Sequence, residues 1–309
     1  GGLFAQIHRL YGVNLMEKRV PVWHPDVRYF ELEKGGSIIG GVYLDLYARE
    51  GKRGGAWMND YRGRRRFTTG DKIGQMQTPV AYLVCNFTPP VGGKEARLSH
   101  DEIITLFHET GHGLHHLLTQ VDELGVSGIN GVEWDAVELP SQFMENFVWE
   151  YDVLAEMSAH EENGAPLPRV LFDKMVAAKN FQRGMFMVRQ MEFALFDMQI
   201  YSQSEQSRLN EWPQVLEAVR REVSVVQPPA YNRFALSFGH IFAGGYSAGY
   251  YSYSWAEVLS ADAYAAFEES DDVKATGKRF WQEVLAVGGS RSAMESFKAF
   301  RGREPQIDA

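Results

Sequence analysis

Apolar and polar positions change their period along this chain. Over Ile39–Tyr47 (IGGVYLDLY), small or apolar residues recur at 40, 42, 44 and 46, a period of two that predicts a strand. Glycines at 35–36, 51 and 54–55 bracket it as turn residues. Pro79–Phe87 (PVAYLVCNF) is a nearly continuous apolar run closed by Pro89–Pro90, which predicts a second, mostly buried strand. The two are expected to form a small antiparallel sheet, and an exposed edge of the second could pair with an extended peptide. From Ser99 onward the period is helical. Ser99-His100-Asp101-Glu102 is a capping box, with Leu98 and Ile103 as its hydrophobic staple, and the helix it opens should reach about Thr119. After the glycine-rich Gly125–Val132, a long helix is expected from about Asp135 to Ala159. Further helices are expected at about 168–205, 212–224, 246–270, 274–287 and 291–300. No Pro/Gly/Ser-rich linker divides the chain. One domain over 1–309 is expected, a mixed part at 1–98 and a helical part at 99–309. The fold class is α+β, predominantly helical, with one small sheet near the amino end.

Composition narrows the function. The 309 residues are 45% hydrophobic and 23% charged, as in a soluble globular chain. The longest apolar runs are too short to span a bilayer, so no membrane is expected as a partner. A net charge of −9 argues against nucleic acid, and the basic run Arg62–Arg66 reads as a solvated loop. The amino end lacks a basic region leading into an apolar one, so no signal peptide is visible. The single cysteine, Cys85, excludes an internal disulfide and fits a buried apolar position. A cytoplasmic location is expected.

The chemistry concentrates at His108-Glu109-Thr110-Gly111-His112, an HExxH motif inside the capped helix. Histidines at i and i+4 share one face, about 6 Å apart along the axis, and both can reach one metal ion. Glu109 projects to the side, where it can take a proton from an attacking water. His116 stands about 12 Å along the axis from His108, too far to share that ion, and His115 is off the face; both read as packing residues or as supports behind the ligands. A catalytic zinc needs a third protein ligand and an open position. Spacing leaves Asp122, Glu123, Glu133, Asp135, Glu138 and Glu145 as candidates. Of these, Glu138 could point from the start of the next helix across to the histidine face, the other reading for it and for Glu145 being solvated helix surface. Glu145, two turns further on, is placed to accept a ring N–H from a ligating histidine, and Asp135 is grouped with it behind the ligands.

Phe238–Trp255 (FGHIFAGGYSAGYYSYSW) places Tyr246, Tyr250 and Tyr253 at i, i+4 and i+7 of an expected helix. An aromatic core stripe is one reading. The other is a set of phenols that donate hydrogen bonds to an oxyanion, since each buried hydroxyl needs a partner. The preceding Gly244–Gly245 could let the segment move.

HETGHGLHHLLTQ followed by GVSGINGVEWDAVELPSQFMENF resembles the zinc oligopeptidases of the thimet oligopeptidase and oligopeptidase A family. The resemblance continues through RFALSFGHIFAGGYSAGYYSYSWAEVLSADAYAAFE and FRGREP, from Leu3 to Pro305. AVELPSQFMENF looks closer to oligopeptidase A than to the dipeptidyl carboxypeptidases. The resemblance implies a zincin-like catalytic domain holding one Zn2+ per chain on His108, His112 and Glu138, with Glu109 as general base. It also implies that His240, Tyr246 and Tyr253 act in catalysis, and that Tyr250 and His240 lie in the substrate site. Thr110 replaces the phenylalanine common at its position, which touches packing rather than chemistry. Members of this family carry a long helical amino-terminal half that walls a deep channel. A missing half, or a separate chain supplying it, is therefore an expected partner beside short peptide substrates.

The function expected is that of a zinc metallopeptidase hydrolysing internal bonds of short peptides. The alternatives are a peptidyl-dipeptidase releasing carboxy-terminal dipeptides and an inactive zinc-bound module that binds peptides.

Overall fold

The capping box at Ser99 forms in full in the computed structural model, which describes residues 1–307. Ser99 Oγ accepts the Glu102 backbone N–H at 3.2 Å, and the Glu102 carboxylate accepts the Ser99 N–H at 2.8 Å. The helix they start runs His100–Leu117. Contacts divide the chain into two units, residues 1–168 with 256 onward, and residues 169–255. Both boundaries fall inside the stretch that the sequence presents as one helical part.

The first unit opens with α1 (Gly2–Tyr11), β1 (Asn14–Lys18), β2 (Arg28–Lys34), β3 (Ser37–Tyr47) and β4 (Trp57–Arg62). A two-stranded ladder of β5 (Arg65–Arg66) and β6 (Met76–Gln77) precedes β7 (Val80–Phe87) and α2 (His100–Leu117). Then come α3 (Trp134–Val137), α4 (Leu139–Asn146) and α5 (Tyr151–Met157). The second unit holds α6 (Arg169–Lys179), α7 (Arg183–Tyr201), α8 (Glu205–Val223), α9 (Phe234–Ser237) and α10 (Gly239–Ala243). The chain closes with α11 (Ser252–Glu268), α12 (Val273–Phe280) and α13 (Ala293–Arg301).

The class α+β holds, but the sheet is mixed rather than antiparallel. Its order is β1-β2-β3-β7-β4, and β3 pairs with β7 in parallel while every other pair is antiparallel. The strands β3 and β4 form a wide hairpin into which β7 inserts. Periodicity reveals a strand and its buried face, not its neighbours, and the insertion reverses the expected direction. It also makes β7 an inner strand, paired on both sides, and leaves β1 and β4 as the edges of the sheet.

Three further departures have local causes. The helix expected over 135–159 is broken, because Pro140 restarts the chain in the first turn of α4 and lacks an N–H to continue α3. The helix expected over 168–205 is divided, with α6 ending at Lys179 and Gln182, at φ 55°, standing as the left-handed residue before α7. The helix α1 buries Leu3, Ile7 and Leu10 at i, i+4 and i+7 and stops at Gly12, φ 65°. The stripe is legible in the sequence, and the helix lies outside the expected ones.

The helix α2 lies on the sheet through small side chains. A β-carbon on Gly113 would sit 3.0 Å from a Leu83 methyl, and one on Gly40 would sit 3.3 Å from a Leu117 methyl. A second core gathers Phe143 of α4, Phe280 of α12 and Phe300 of α13, with Phe143 and Phe280 stacked at 4.1 Å. The second unit packs Phe196, Ile200, Val215, Leu216, Phe238 and Ile241 into its own core.

Candidate functional site

The break between α3 and α4 is what aims Glu138. As the residue shared by the two helix ends, it sits at φ −86°, ψ −3° and is fully buried. Its Oε2 lies 3.3 Å from His108 Nε2 and 3.0 Å from His112 Nε2. The ligand atoms of these three residues all lie within 4.8 Å of one another. Helix α4 reaches this position by passing close over Gly111, where a β-carbon would meet Pro140 O at 2.2 Å.

The donor set fits a cation. Glu145 Oε1 lies 2.6 Å from His108 Nδ1, so with the ring proton on that nitrogen, Nε2 carries its lone pair toward Glu138. Lone pairs facing a carboxylate oxygen at 3.3 Å repel unless a positive charge stands among them. Two imidazoles and one carboxylate are a ligand set that suits zinc. With a proton rather than a cation among them, burial would raise Glu138, but the facing imidazoles of His112 and His108 hold it well below the usual carboxylate range. Likewise burial would lower His108, but Glu138 and Glu145 hold it well above the ordinary imidazole value. Ser141 Oγ donates at 2.8 Å to Glu138 Oε2, the same oxygen that faces the two histidines, and so orients that carboxylate.

Glu109 is buried beside this cluster, and its Oε2 has no hydrogen-bond partner among the described residues. Its carboxyl pKa is pushed up by burial, against the pull of His108, His112 and the Met58 backbone amide, which donates to it. The edge strand β4, which carries Met58, therefore borders the carboxylate. Asp135 is half-buried in α3, three residues ahead of Glu138. Thr110 turns its hydroxyl into its own helix, donating to Leu106 O at 2.7 Å. His115 and His116 are both buried, and His116 Nε2 lies 3.0 Å from Arg62 O. Cys85 is fully buried, and burial pushes its thiol up.

In the second unit the structure gathers His240, Tyr246, Tyr250 and Tyr253. The His240 ring centroid lies 5.9, 5.6 and 6.1 Å from those of the three tyrosines. Tyr246 and Tyr253 stack at 5.2 Å. The tyrosines are not a helical stripe as expected. The chain from Tyr246 to Tyr251 is a series of turns, and α11 begins only at Ser252.

Sequence reasoning missed Ser141 and Met58. Ser141 could have been found from its i+3 spacing to Glu138, whereas Met58 contributes only its backbone and leaves no side-chain signal.

A capped HExxH helix lying on a small mixed sheet, with a glutamate from the following helix completing the cluster, defines a metallopeptidase-type scaffold. The family description Peptidase family M3 matches residues 1–309, and the chain belongs to that family. It is 54% identical over its whole length to oligopeptidase A of Escherichia coli (strain K12), and spans 45% of that protein. It is 35% identical to the dipeptidyl carboxypeptidase of the same organism, over 99% of this chain and 44% of that one. The chain thus spans less than half the length of these curated relatives. Among solved structures, a putative oligoendopeptidase F matches its fold with a TM-score of 0.59 at 20% identity, over 86% of this chain and 40% of that one. PZ peptidase A with an inhibitor matches with a TM-score of 0.52 at 18% identity, over 85% and 40%. No helix among the described residues is long and apolar enough to cross a membrane.

Proposed function

We propose that this chain carries the catalytic centre of a zinc metallopeptidase that hydrolyses internal bonds of short peptides. The observation that carries the reading is the convergence of His108 Nε2 and His112 Nε2 on Glu138 Oε2, with the partnerless Oε2 of Glu109 buried beside them. His108, His112 and Glu138 would hold one Zn2+, with Glu145 and Asp135 behind them. Bound there, the ion supplies Lewis-acid polarisation of a carbonyl and lowers the pKa of water.

The chain's own groups do the rest. Glu109 takes the proton of the attacking water and passes it to the leaving amine nitrogen. Its raised pKa suits both halves of that task, because a stronger base accepts more readily and the resulting acid still donates. The edge strand β4 runs beside Glu109 and offers its outer backbone groups to an extended peptide. Tyr246 and Tyr253 donate hydrogen bonds to the oxyanion, His240 assists them, and Tyr250 contacts substrate. The extra length of the relatives makes a further segment, or a separate chain, the expected partner in forming the substrate channel. A cytoplasmic site of action goes with this reading.

A peptidyl-dipeptidase is the second reading, supported by the 35% identity to dipeptidyl carboxypeptidase, against 54% to oligopeptidase A. The test is cleavage of an internally quenched peptide with an amidated carboxy end, by wild type and by Glu109→Gln, with zinc measured in both. Chelator-sensitive internal cleavage, lost in a variant that retains zinc, is the expected result. Cleavage only of peptides with a free carboxylate would favour the second reading. Zinc without cleavage in either protein would leave a binding module.

A further inference from the structure

The tyrosine turn is held from behind by a carboxylate to which neither the motif nor the proposed chemistry gives a task. Asp197, on α7, is fully buried. Its Oδ1 accepts the Ala248 N–H at 2.8 Å and its Oδ2 accepts the Tyr250 N–H at 2.9 Å. Backbone amides converging on one anion form a nest, and a nest needs a residue in the left-handed region. Ala248 fills that role at φ 53°, a conformation that a non-glycine residue adopts only when its surroundings impose it. Two more α7 side chains reach the same segment. Tyr201 Oη donates to Ile241 O, and Gln190 Oε1 accepts the Tyr250 hydroxyl proton at 3.0 Å. Gln190, Asp197 and Tyr201 are seven and four residues apart, which lines them along one face of the helix.

Burial works against Asp197, since it pushes the carboxyl pKa up, and the amides of Tyr250, Ala248 and Gly249 oppose that push. A buried carboxylate is costly to keep, and its hydrogen-bond donors here are the amides of this one turn. The segment also has bonds of its own, Tyr246 N–H to His240 O at 3.0 Å and Gly249 N–H to Tyr246 O at 2.9 Å, but Asp197 is the group that gathers the Ala248 and Tyr250 amides.

We propose that Asp197 is a positioning residue: its carboxylate locks residues 246–250 into the turn that gathers Tyr246, Tyr250 and Tyr253 around His240. The link to catalysis rests on the peptidase reading above; the link to the turn's conformation does not.

The test compares wild type, Asp197→Asn and Ala248→Val. Asparagine keeps the shape of Asp197 but presents an NH2 group to one of the two amides. Ala248 is exposed, so valine there leaves the core intact while resisting the left-handed conformation that the nest requires. Hydrogen exchange is read on peptides covering 242–252, the rest of 169–255, and 100–117. The expected result in both variants is exchange at 246–250 at least tenfold faster, with the other two regions unchanged. On a quenched peptide, kcat should fall at least tenfold with KM nearly constant and zinc content unaltered, because phenols that bind the transition state would be lost from place. Unchanged protection at 246–250 in Asp197→Asn overturns the proposal. So does faster exchange spread evenly over 169–255, which would make Asp197 a general packing residue. If wild type does not cleave the peptide, or Glu109→Gln cleaves it equally well, the peptidase reading fails while the exchange data still decide the role of Asp197.

Discussion

Gly111 and Pro140 meet where helices α2 and α4 cross, at a distance that leaves no room for a side chain. A β-carbon on Gly111 would lie 2.2 Å from the Pro140 carbonyl oxygen and 2.5 Å from the Ser141 Cα. Both obstacles are backbone, so neither can rotate away. The glycine inside the HExxH motif therefore sets how near the Glu138 helix approaches the two histidines.

Gly111→Ala should push α4 away and carry Glu138 with it. Alanine favours the helix intrinsically by about 1 kcal/mol, but overpacking of this kind costs about 1–3 kcal/mol, so net stability should fall. The sharper consequence is at the ligands. Zinc affinity, measured by competition with a chromogenic chelator, should drop at least tenfold even where the variant stays folded. Unaltered affinity would mean that the approach of α4 does not set the ligand geometry.

Ser141→Ala should weaken the metal site with little effect on the fold. Ser141 Oγ is 2.8 Å from Glu138 Oε2 and 2.9 Å from Glu138 O, so its single proton has two acceptors on one residue. Removing a group that orients a ligand typically costs about 10–100-fold in metal affinity. The same titration checks this, beside a urea midpoint within experimental error of wild type. A large loss of stability with normal zinc affinity would make Ser141 a packing residue instead.

The parts of this protein that sequence conveyed are those written in side chains on one local element. Ser99 and Glu102 announce the start of α2, and His108 and His112 share a face by their spacing alone, with Glu109 to its side. Glu138 required more, because spacing left it among several acidic residues, and the family resemblance singled it out. Pro140, which breaks the helix there and so aims Glu138, is visible in the sequence, but the helical period runs on through it. The parallel pairing of β3 with β7 and the Met58 amide at Glu109 are long-range matters of backbone placement, for which periodicity carries no signal. Asp197 was hidden for a similar reason: its partners are backbone amides some fifty residues on, at Ala248 and Tyr250.

Acid should weaken the fold through Asp45. This carboxylate receives Arg49 Nη1 at 2.6 Å, Lys52 Nζ at 2.9 Å and Trp23 Nε1 at 2.9 Å. Lys52 also reaches Tyr47 O and Cys85 O, so the cluster pins the ends of β3 and β7 together. Burial would raise the Asp45 pKa, but the hydrogen bonds from Arg49, Lys52 and Trp23 hold it far below the usual range. A carboxyl depressed on folding contributes stability that is complete above its unfolded pKa of about 4 and is lost as pH falls toward the folded value. Wild type should therefore lose Tm steeply below about pH 4, and Asp45→Asn should start lower at pH 7 and fall less. Parallel Tm-against-pH curves for the two proteins would exclude this carboxylate as a source of acid sensitivity.

The FRGREP segment closes the chain onto a buried charge. Asp262 on α11 is fully buried and receives Arg301 Nε at 2.8 Å, Arg303 Nη2 at 2.7 Å and the Gln306 backbone N–H at 2.8 Å. Arg301 also reaches Glu269 at 2.8 Å, but that partner is exposed. Removing one member of a buried ion cluster leaves uncompensated charge behind, which typically costs about 3–5 kcal/mol. Asp262→Ala should lower the unfolding free energy, read from urea denaturation, by that much, whereas Glu269→Gln should leave it nearly unchanged because solvent already screens that pair. The contrast is the measurement that matters. Equal losses would mean that Arg301 is held as much from outside as from within, and that the buried carboxylate is not what anchors the carboxy-terminal segment.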